Sequence, residues 1–481
     1  MRGRAGWKMW LPFVVVFLVR ARFLFSPLST DEGGYLAVAR AWFRGSDLYG
    51  TVWVDRPQGL LVIYGLLDRV GLGNGAGVRL LATAACFVAM VACGHIAWVL
   101  AGEKSRVPSM WAVGLALSIA QIEGFIANAE LLSCAAGAAA LAGILIAVWE
   151  RGAPDLRMLV LAGLAGGAAV TIKQSGFDAA VAGCVAVLVA SLKDRWGAGQ
   201  FARAAGSLAG GAAVPVSLML GHAALTGFGD WWWAFAGVRI EHASALASAD
   251  WEMLRETGRI AAPVVIVALV VVLAAAATMA RTHWRALVVM ASWGAAAVVA
   301  FAAGGLFHRH YWMILMFPFA TAVGIALSRI GNRRLLAAAV VACAVVPAAR
   351  AVEAVRMDDL TVARELNADT RLPWNEDVAR WFRTNDPGHG TVWAMCASSA
   401  LYAHLRQDPP FMYSWFEYFR AVPDALPMLR AYLSGPSAPQ YVVEVQSAAR
   451  CDPSGALGTV VTSRYREVGE VRGKPILRLD D

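Results

Sequence analysis

The chain has 481 residues, of which 58% are hydrophobic and 16% charged, and its mean hydropathy is +0.55. These values exclude a soluble globular domain. The formal net charge of +8 does not indicate nucleic-acid binding, because most of the excess lysine and arginine lies in short clusters between apolar runs, the pattern that orients membrane loops.

Apolar runs recur through the first 350 residues and end there. Since a span needs about 20 apolar residues, they predict a mainly α, polytopic helical membrane protein with about 11 transmembrane helices. The first run follows a basic N-terminus without a small-residue cleavage site, so we predict a retained span and not a signal peptide. The predicted spans are residues 9–28, 78–100, 107–127, 131–149, 157–173, 177–192, 204–225, 260–280, 286–304, 312–330 and 335–350.

Charge alternates between successive connectors. Short basic clusters occur at residues 103–106, 150–157, 193–203, 281–285 and 329–334, which predicts that these connectors are cytoplasmic. The other connectors and the charged tail then face outwards. We therefore predict a multi-pass protein of the plasma (inner) membrane with a cytoplasmic N-terminus. Its membrane domain is predicted at residues 1–350 and a small soluble extracytoplasmic α/β domain at residues 351–481.

The cysteines fall into two groups. Five lie within apolar runs and are predicted to be small packing residues, whereas Cys396 and Cys451 lie in the tail. The tail pair can form a disulfide if that region faces an oxidising compartment. No cysteine and histidine spacing indicates a zinc site, and no glycine-rich phosphate loop follows a strand.

The first outward connector, residues 29–77, contains an adjacent acidic pair, Asp31 and Glu32. Two carboxylates at a membrane boundary are costly to keep, so they indicate chemistry at the bilayer surface. An alternative is an ordinary helix start, with Ser29 or Thr30 as the N-cap and the acids in the first turn.

Two apolar stretches follow in the same connector, at residues 35–45 and 57–73, and both predict juxtamembrane helices. Between them Asp55 and Arg56 precede Pro57, a sequence that favours an extended or turn conformation. This turn can return a carboxylate and a cation to the neighbourhood of the acidic pair.

Further outward connectors carry candidate residues, each with a simpler alternative. Glu130 precedes a span, where it can also be a helix-dipole partner. Lys173 and Gln174 end another span, where the lysine can simply extend to the membrane surface. The cluster at residues 308–311 suits phosphate binding or membrane anchoring. The three tryptophans at residues 231–233 favour an aromatic belt over a sugar platform.

The outward-facing candidates suit one kind of chemistry. Carboxylates suit the deprotonation of a hydroxyl nucleophile, whereas arginine, lysine and histidine suit a lipid phosphate at the headgroup level. Their occurrence in five outward segments predicts a site that moves a group from a lipid-linked phosphate donor.

The order of the motifs resembles the GT-C membrane glycosyltransferases, in particular the bacterial relatives of protein O-mannosyltransferases and of the lipid A aminoarabinose transferase. The motifs are DEGGY at 31–35, VDRPQG at 54–59, ANAELL at 127–132, IKQSG at 172–176 and GGLFHRHYWMILMFPFA at 304–320. The resemblance covers residues 10–330 and rests on order and sidedness. It implies that a sugar moves from a polyprenyl-phosphate donor to a hydroxyl acceptor outside the plasma membrane, typically with inversion at the anomeric carbon.

The resemblance also implies residue roles. Asp31 matches the acidic base or acceptor-positioning residue and Glu32 its partner, while Gln58 replaces the second proline that many relatives carry. The tail resembles the small outer α/β domain, with strand and helix at 391–405 and strands at 439–445 and 465–471. The implied lipid-phosphate contacts are Arg56, Lys173, His308, Arg309, His310 and Tyr311, supported by Asp55, Glu130 and Gln174.

A membrane transporter or glycolipid flippase is the alternative, since charges in a membrane region can line a pathway. Against it, the sequence shows no internal repeat, and the unusual residues lie on one face and not near the midplane. A non-catalytic sugar-lipid-binding scaffold is a third hypothesis. No cofactor is required, although Asp31 and Glu32 can hold a divalent cation. The expected partners are the lipid-linked donor, membrane lipids and a protein, lipid or glycan acceptor. Mannose, arabinofuranose, glucose and aminoarabinose donors all suit this architecture.

Overall fold

The computed structural model describes residues 6–149, 152–241, 243–280, 283–303, 307–367 and 369–480. Several residues used in the sequence predictions lie outside the described residues. Arg2, Arg4, Arg151 and Arg281 belong to the basic segments from which the topology was predicted, and residue 304 is the end of a predicted span.

The described part of the chain before residue 357 is mainly helical, and its apolar composition makes the fold that of a polytopic membrane protein. Each predicted span coincides with a helix of the described chain, and seven described helices are long and apolar enough to cross a membrane. The helices are α1 Gly6–Ala21, α2 Thr30–Phe43, α3 Gln58–Arg69, α4 Gly75–Ala101, α5 Arg106–Ala116, α6 Ala129–Val148, α7 Leu156–Ile172, α8 Asp178–Lys193, α9 Ala198–Thr226, α10 Phe228–Trp232, α11 Val238–Glu241, α12 Ala243–Met279, α13 Trp284–Ala303, α14 Trp312–Ser328 and α15 Arg333–Arg356.

The segment predicted as one span at residues 107–127 is shorter than expected. Helix α5 ends at Ala116, and a short 3-10 turn leads to Glu123, whose φ of 58° is left-handed. Gly124 permits this turn, because a Cβ there meets the carbonyl oxygen of Leu117 at 2.4 Å. The chain therefore folds back after α5 and carries the Glu123 carboxylate towards the start of α14.

The tail carries a four-stranded mixed sheet in the order β1-β2-β4-β3. Strands β1 and β2 are parallel, and the other two pairs are antiparallel. The predicted strands and the helix after β1 are confirmed, while β4 was not predicted. The elements are α16 Asp359–Thr361, α17 Leu372–Asn385, β1 Val392–Ala394, α18 Ser399–Leu405, α19 Phe416–Ala421, α20 Ala425–Ser434, β2 Tyr441–Val443, α21 Ala448–Cys451, α22 Ala456–Arg464, β3 Tyr465–Val471 and β4 Lys474–Leu479.

A disulfide joins the first half of the tail to its second half. It links Cys396, just after β1, to Cys451 at the end of α21. The predicted domain boundary at residue 350 stays a prediction, and α15 continues through it to Arg356.

Helix α2 is the element on which the membrane helices and the tail meet. It lies between α3 and α18 and is buried on all sides. Its two glycines allow the tail to approach, because a Cβ on Gly33 meets the backbone of Ala400 at 2.6 Å and a Cβ on Gly34 meets the Trp415 ring at 2.3 Å. The α2 N-terminus, with the acidic pair, is thereby enclosed by the tail.

Candidate functional site

Glu32 is a structural residue at the start of α2. The Ser29 side chain accepts the Glu32 backbone N–H at 3.2 Å, and the Glu32 carboxylate accepts the Ser29 backbone N–H at 3.0 Å, which is a reciprocal capping box. The other carboxylate oxygen binds Arg79 at 2.8 Å and the Ala127 backbone N–H at 2.8 Å. The helix-cap alternative therefore describes Glu32, and the geometry does not support its predicted role as the catalytic partner of Asp31.

Asp31 faces a cavity between the membrane helices and the tail. Its Oδ1 accepts the indole N–H of Trp415 at 3.1 Å. Burial is the largest influence on this carboxyl and raises its pKa, and Glu123 and Glu130 add to the rise, although His310 and Arg56 oppose it. A carboxylate with a raised pKa is a stronger base than an ordinary aspartate.

The cavity has a volume of ≈ 290 Å³ and a mixed polar and aromatic lining. Three parts of the chain contribute to it: α2 with the connector before α3, the segments that carry Glu123, Met253 and His308, and the tail. The lining residues are Ser29, Thr30, Asp31, Tyr35, Asp55, Arg56, Glu123, Ile126, Met253, His308, His310, Asn367, Asp369, Arg371, Ala397, Trp415, Phe416, Glu417 and Tyr418.

Asp55 and Arg56 form a buried cluster with two residues that were not predicted. Arg56 Nη1 lies 2.6 Å from Asp55 Oδ1, Arg239 binds Asp55 Oδ2, and the Tyr418 hydroxyl donates to Oδ1 at 2.8 Å. Burial alone raises the pKa of Asp55, but the two arginines and Tyr418 lower it overall. The cluster thus holds two guanidinium groups against one carboxylate, and Arg56 extends over the Tyr35 ring at 5.9 Å.

A second charged network lies beneath the cavity floor. Lys173 binds Glu130 and its ammonium lies 4.0 Å from the centre of the Tyr311 ring. His310 Nδ1 lies 2.6 Å from Glu123, and its Nε2 lies 3.6 Å from Glu130. Lys173 and Tyr311 are buried and do not line the cavity, whereas His310 and Glu123 of this network do.

Of the remaining predicted residues, one lines the cavity and the others bind elsewhere in the protein. His308 lines the cavity beside His310, and burial, followed by the neighbouring imidazole, lowers its pKa to about 4. Arg309 points elsewhere, to Glu256 at 2.9 Å and to the carbonyl oxygen of Glu365. Gln174 donates to the carbonyl oxygen of Asp55 at 3.0 Å and so supports the connector.

The tail supplies functional candidates that sequence reasoning missed. Arg371 donates to both oxygens of Asp369 at 2.6 and 2.7 Å, and Thr30 donates to Asp369 at 2.7 Å. Trp415 and Tyr418 reach the Asp31 and Asp55 carboxylates. The glycine pair after Glu32, Gly33 and Gly34, is the available signal, because adjacent glycines in a helix can mark a close approach of another part of the chain.

The acidic pair does not fit a divalent cation. Both carboxylate oxygens of Glu32 are engaged by Ser29, Arg79 and Ala127, which leaves Asp31 without an acidic partner on α2. Within the described ranges, no group of three or more histidine, cysteine, aspartate or glutamate residues has the arrangement of a metal site.

Comparison with known proteins finds solved structures of similar fold. No family model matches the chain, and no curated protein matches it. It is similar to ArnT from Cupriavidus metallidurans bound to undecaprenyl phosphate, with a TM-score of 0.67 and 16% identity over 99% of this chain and 98% of that one. It is also similar to the archaeal oligosaccharyltransferase AglB from Archaeoglobus fulgidus in complex with an inhibitory peptide and a dolichol-phosphate, with a TM-score of 0.57 and 11% identity over 96% and 72% of the two chains. At 16% and 11% identity these two likenesses show the fold, so the polytopic helical membrane architecture predicted from the sequence is confirmed.

Proposed function

We propose that the chain is a membrane glycosyltransferase that moves a sugar from a polyprenyl-phosphate donor to a hydroxyl acceptor. The observation that carries this proposal is the cavity itself. It combines a carboxylate of raised pKa, Asp31, with the cations Arg56 and His310 in a fold shared with two glycosyltransferases solved in complex with lipid phosphates.

The proposed reaction is a single displacement. Asp31 accepts the proton of the acceptor hydroxyl, whose oxygen attacks the anomeric carbon of the donor. The bond between that carbon and the phosphate oxygen breaks, and the polyprenyl phosphate leaves with the bonding electron pair. Because attack and departure occur on opposite faces of the carbon, the anomeric configuration inverts. Asp31 then releases its proton to water.

Arg56 and His310 are the proposed phosphate-side cations. Charge that develops on the leaving phosphate is stabilised by donors held in place before the reaction. Asp55, which itself accepts a hydrogen bond from Tyr418, holds Arg56, and Glu123 and Glu130 hold His310. We assign Lys173, Arg309, Tyr311 and Gln174 to the support of this arrangement and not to the donor itself.

We also propose that the cavity and the tail lie on the outer side of the plasma membrane, with the N-terminus in the cytoplasm. The basic connectors support this orientation. The Cys396–Cys451 disulfide adds support, because disulfides persist in oxidising compartments and are rare in the cytosol.

The test is sugar transfer by membranes that contain the protein, supplied with polyprenyl-phosphate mannose, glucose or arabinofuranose. Asp31→Asn keeps the size of the side chain but removes the base, so we expect a loss of roughly 100-fold or more, the contribution typical of general acid–base catalysis. Asp408→Asn is the matched control, since Asp408 pairs with Arg44 at a distance from the cavity. Full activity of Asp31→Asn at normal expression would overturn the assignment.

A further inference from the structure

The tail makes a direct hydrogen bond to the proposed base. Trp415 lines the cavity, is only 6% exposed, and donates its indole N–H to Asp31 Oδ1 at 3.1 Å. The two residues are 384 positions apart in the chain. An indole N–H is a donor that cannot titrate, so it can hold one carboxylate oxygen in a fixed direction over the whole working pH range.

The Trp415 ring is itself fixed from several sides. Gly34 leaves room for it one turn into α2, since a Cβ at that position meets the ring at 2.3 Å. Tyr35 and Tyr418 pack against it with ring centroids at 5.9 Å each. The indole therefore has little freedom to turn away from Asp31.

A second set of contacts fixes the backbone next to Asp31. The Ser399 hydroxyl donates to the Thr30 carbonyl oxygen at 2.9 Å, and the Thr30 hydroxyl donates to Asp369 at 2.7 Å. Asp369 is held by Arg371, which also donates to the carbonyl oxygen of Ala397 at 3.1 Å. The residue before Asp31 is thus tied twice to the tail, independently of the indole.

We propose that Trp415 is the positioning residue of the catalytic base: its N–H holds Asp31 Oδ1 and leaves Oδ2 for the acceptor hydroxyl. This inference rests on the proposed function and adds that the active site is composite. Helix α2 carries the base, and the tail orients it. The tail is therefore required for the chemical step.

The charge state of Asp31 depends on more than this hydrogen bond. Charged and titratable groups surround it from every neighbouring element, and these remain in place when Trp415 is changed: Tyr35, Asp55, Arg56, Glu123, Glu130, His308, His310, Asp369, Arg371, Glu417 and Tyr418. Removal of a donor to the charged form shifts the equilibrium towards the protonated acid, so a change at Trp415 alone moves the acid limb of the activity profile to higher pH.

The experiment uses Trp415→Phe in the full-length protein, with kcat, donor KM and the pH profile as readouts. We expect kcat to fall about tenfold or more, the effect of losing a hydrogen bond to a charged group, with donor KM changed less than twofold. The acid limb of kcat/KM should move up by as much as about one pH unit, since one unit corresponds to an interaction of this size. If Trp415 had only a structural role, Trp415→Phe would lower the amount of folded enzyme but would leave the acid limb of kcat/KM in place.

Trp393→Phe is the matched control. Trp393 is buried in the same tail, and its indole nitrogen has no hydrogen-bond partner among the described residues, so its loss should leave the acid limb in place. If Trp415→Phe does not fold, benzothienylalanine introduced at position 415 keeps the ring shape and lacks the N–H, and the same shift is expected. An unmoved acid limb and an unchanged kcat overturn the inference. If Asp31→Asn is inactive while Trp415→Phe behaves like the wild-type protein, the proposed function stands without the positioning role of Trp415.

Discussion

Glu32→Gln separates the two members of the acidic pair. Glu32 is fully buried and binds Arg79, also buried, together with the backbone N–H groups of Ser29 and Ala127. A glutamine amide can accept from some of these donors through its oxygen, but its NH₂ group faces donors, and Arg79 loses its counter-charge. Removal of one partner from a buried ion pair costs about 3–5 kcal/mol. We therefore expect a marked loss of stability.

The assay is the thermal midpoint of the purified protein in detergent, combined with transferase activity per folded molecule. Glu32→Gln should lower the midpoint by several degrees, while the fraction that stays folded keeps much of its activity. Asp31→Asn should do the reverse. Glu103→Gln is the control, because Glu103 is exposed and lies 3.9 Å from Arg106. A Glu32→Gln protein with an unchanged midpoint and no activity would refute the division of roles within the pair.

Three further predictions concern α2, the tail and the pH profile. Gly33→Ala places a Cβ 2.6 Å from the Ala400 backbone, so we expect a loss of about 1–3 kcal/mol in unfolding free energy and a reduced kcat. Gly206→Ala is the control and should change neither quantity, because a Cβ there meets nothing within 4 Å. Equal behaviour of the two variants would contradict the close packing of α2 on α18. Cys396→Ser removes a disulfide with a sequence separation of 55, so the unfolding free energy should fall by about 4 kcal/mol in the chain-entropy model. If dithiothreitol leaves the thermal midpoint of the wild-type protein unchanged, that result would argue against the crosslink. Because burial raises the pKa of Asp31 and the base must be ionised, activity should be lost as pH falls, with the midpoint of the acid limb above the ordinary value for an aspartate. A limb at or below that value in kcat/KM measurements would count against Asp31.

The helical architecture could be predicted from sequence because membrane spans are set by composition and length. Each predicted span coincides with a helix. The spans predicted at residues 9–28 and 107–127 both extend beyond the ends of their helices, at Ala21 and Ala116. The second does so because an apolar segment can fold back at a left-handed Glu123 without any change in hydropathy. Alternating strand residues and a following helix likewise made β1, α18, β2 and β3 predictable in the tail.

The site was only partly predictable. Asp31 and Glu32 are neighbours in sequence, but successive residues of a helix point about 100° apart, so one faces the cavity and the other Arg79. Composition cannot show which residue takes which direction. Trp415 lies 384 residues from Asp31, and only the folded chain brings them together. The sequence offers Lys173 as a phosphate contact, and the fold pairs it with Glu130, a partner 43 residues away in the chain.

The proposed function is tested most directly with the purified protein in proteoliposomes, using a polyprenyl-phosphate sugar labelled in the sugar. We expect the wild-type protein to release polyprenyl phosphate in equal amount to glycosylated acceptor, with inverted anomeric configuration, and Asp31→Asn to release almost none. Movement of the intact labelled lipid between leaflets without its cleavage, or equal release by both proteins, would contradict a transferase that uses Asp31 as its base.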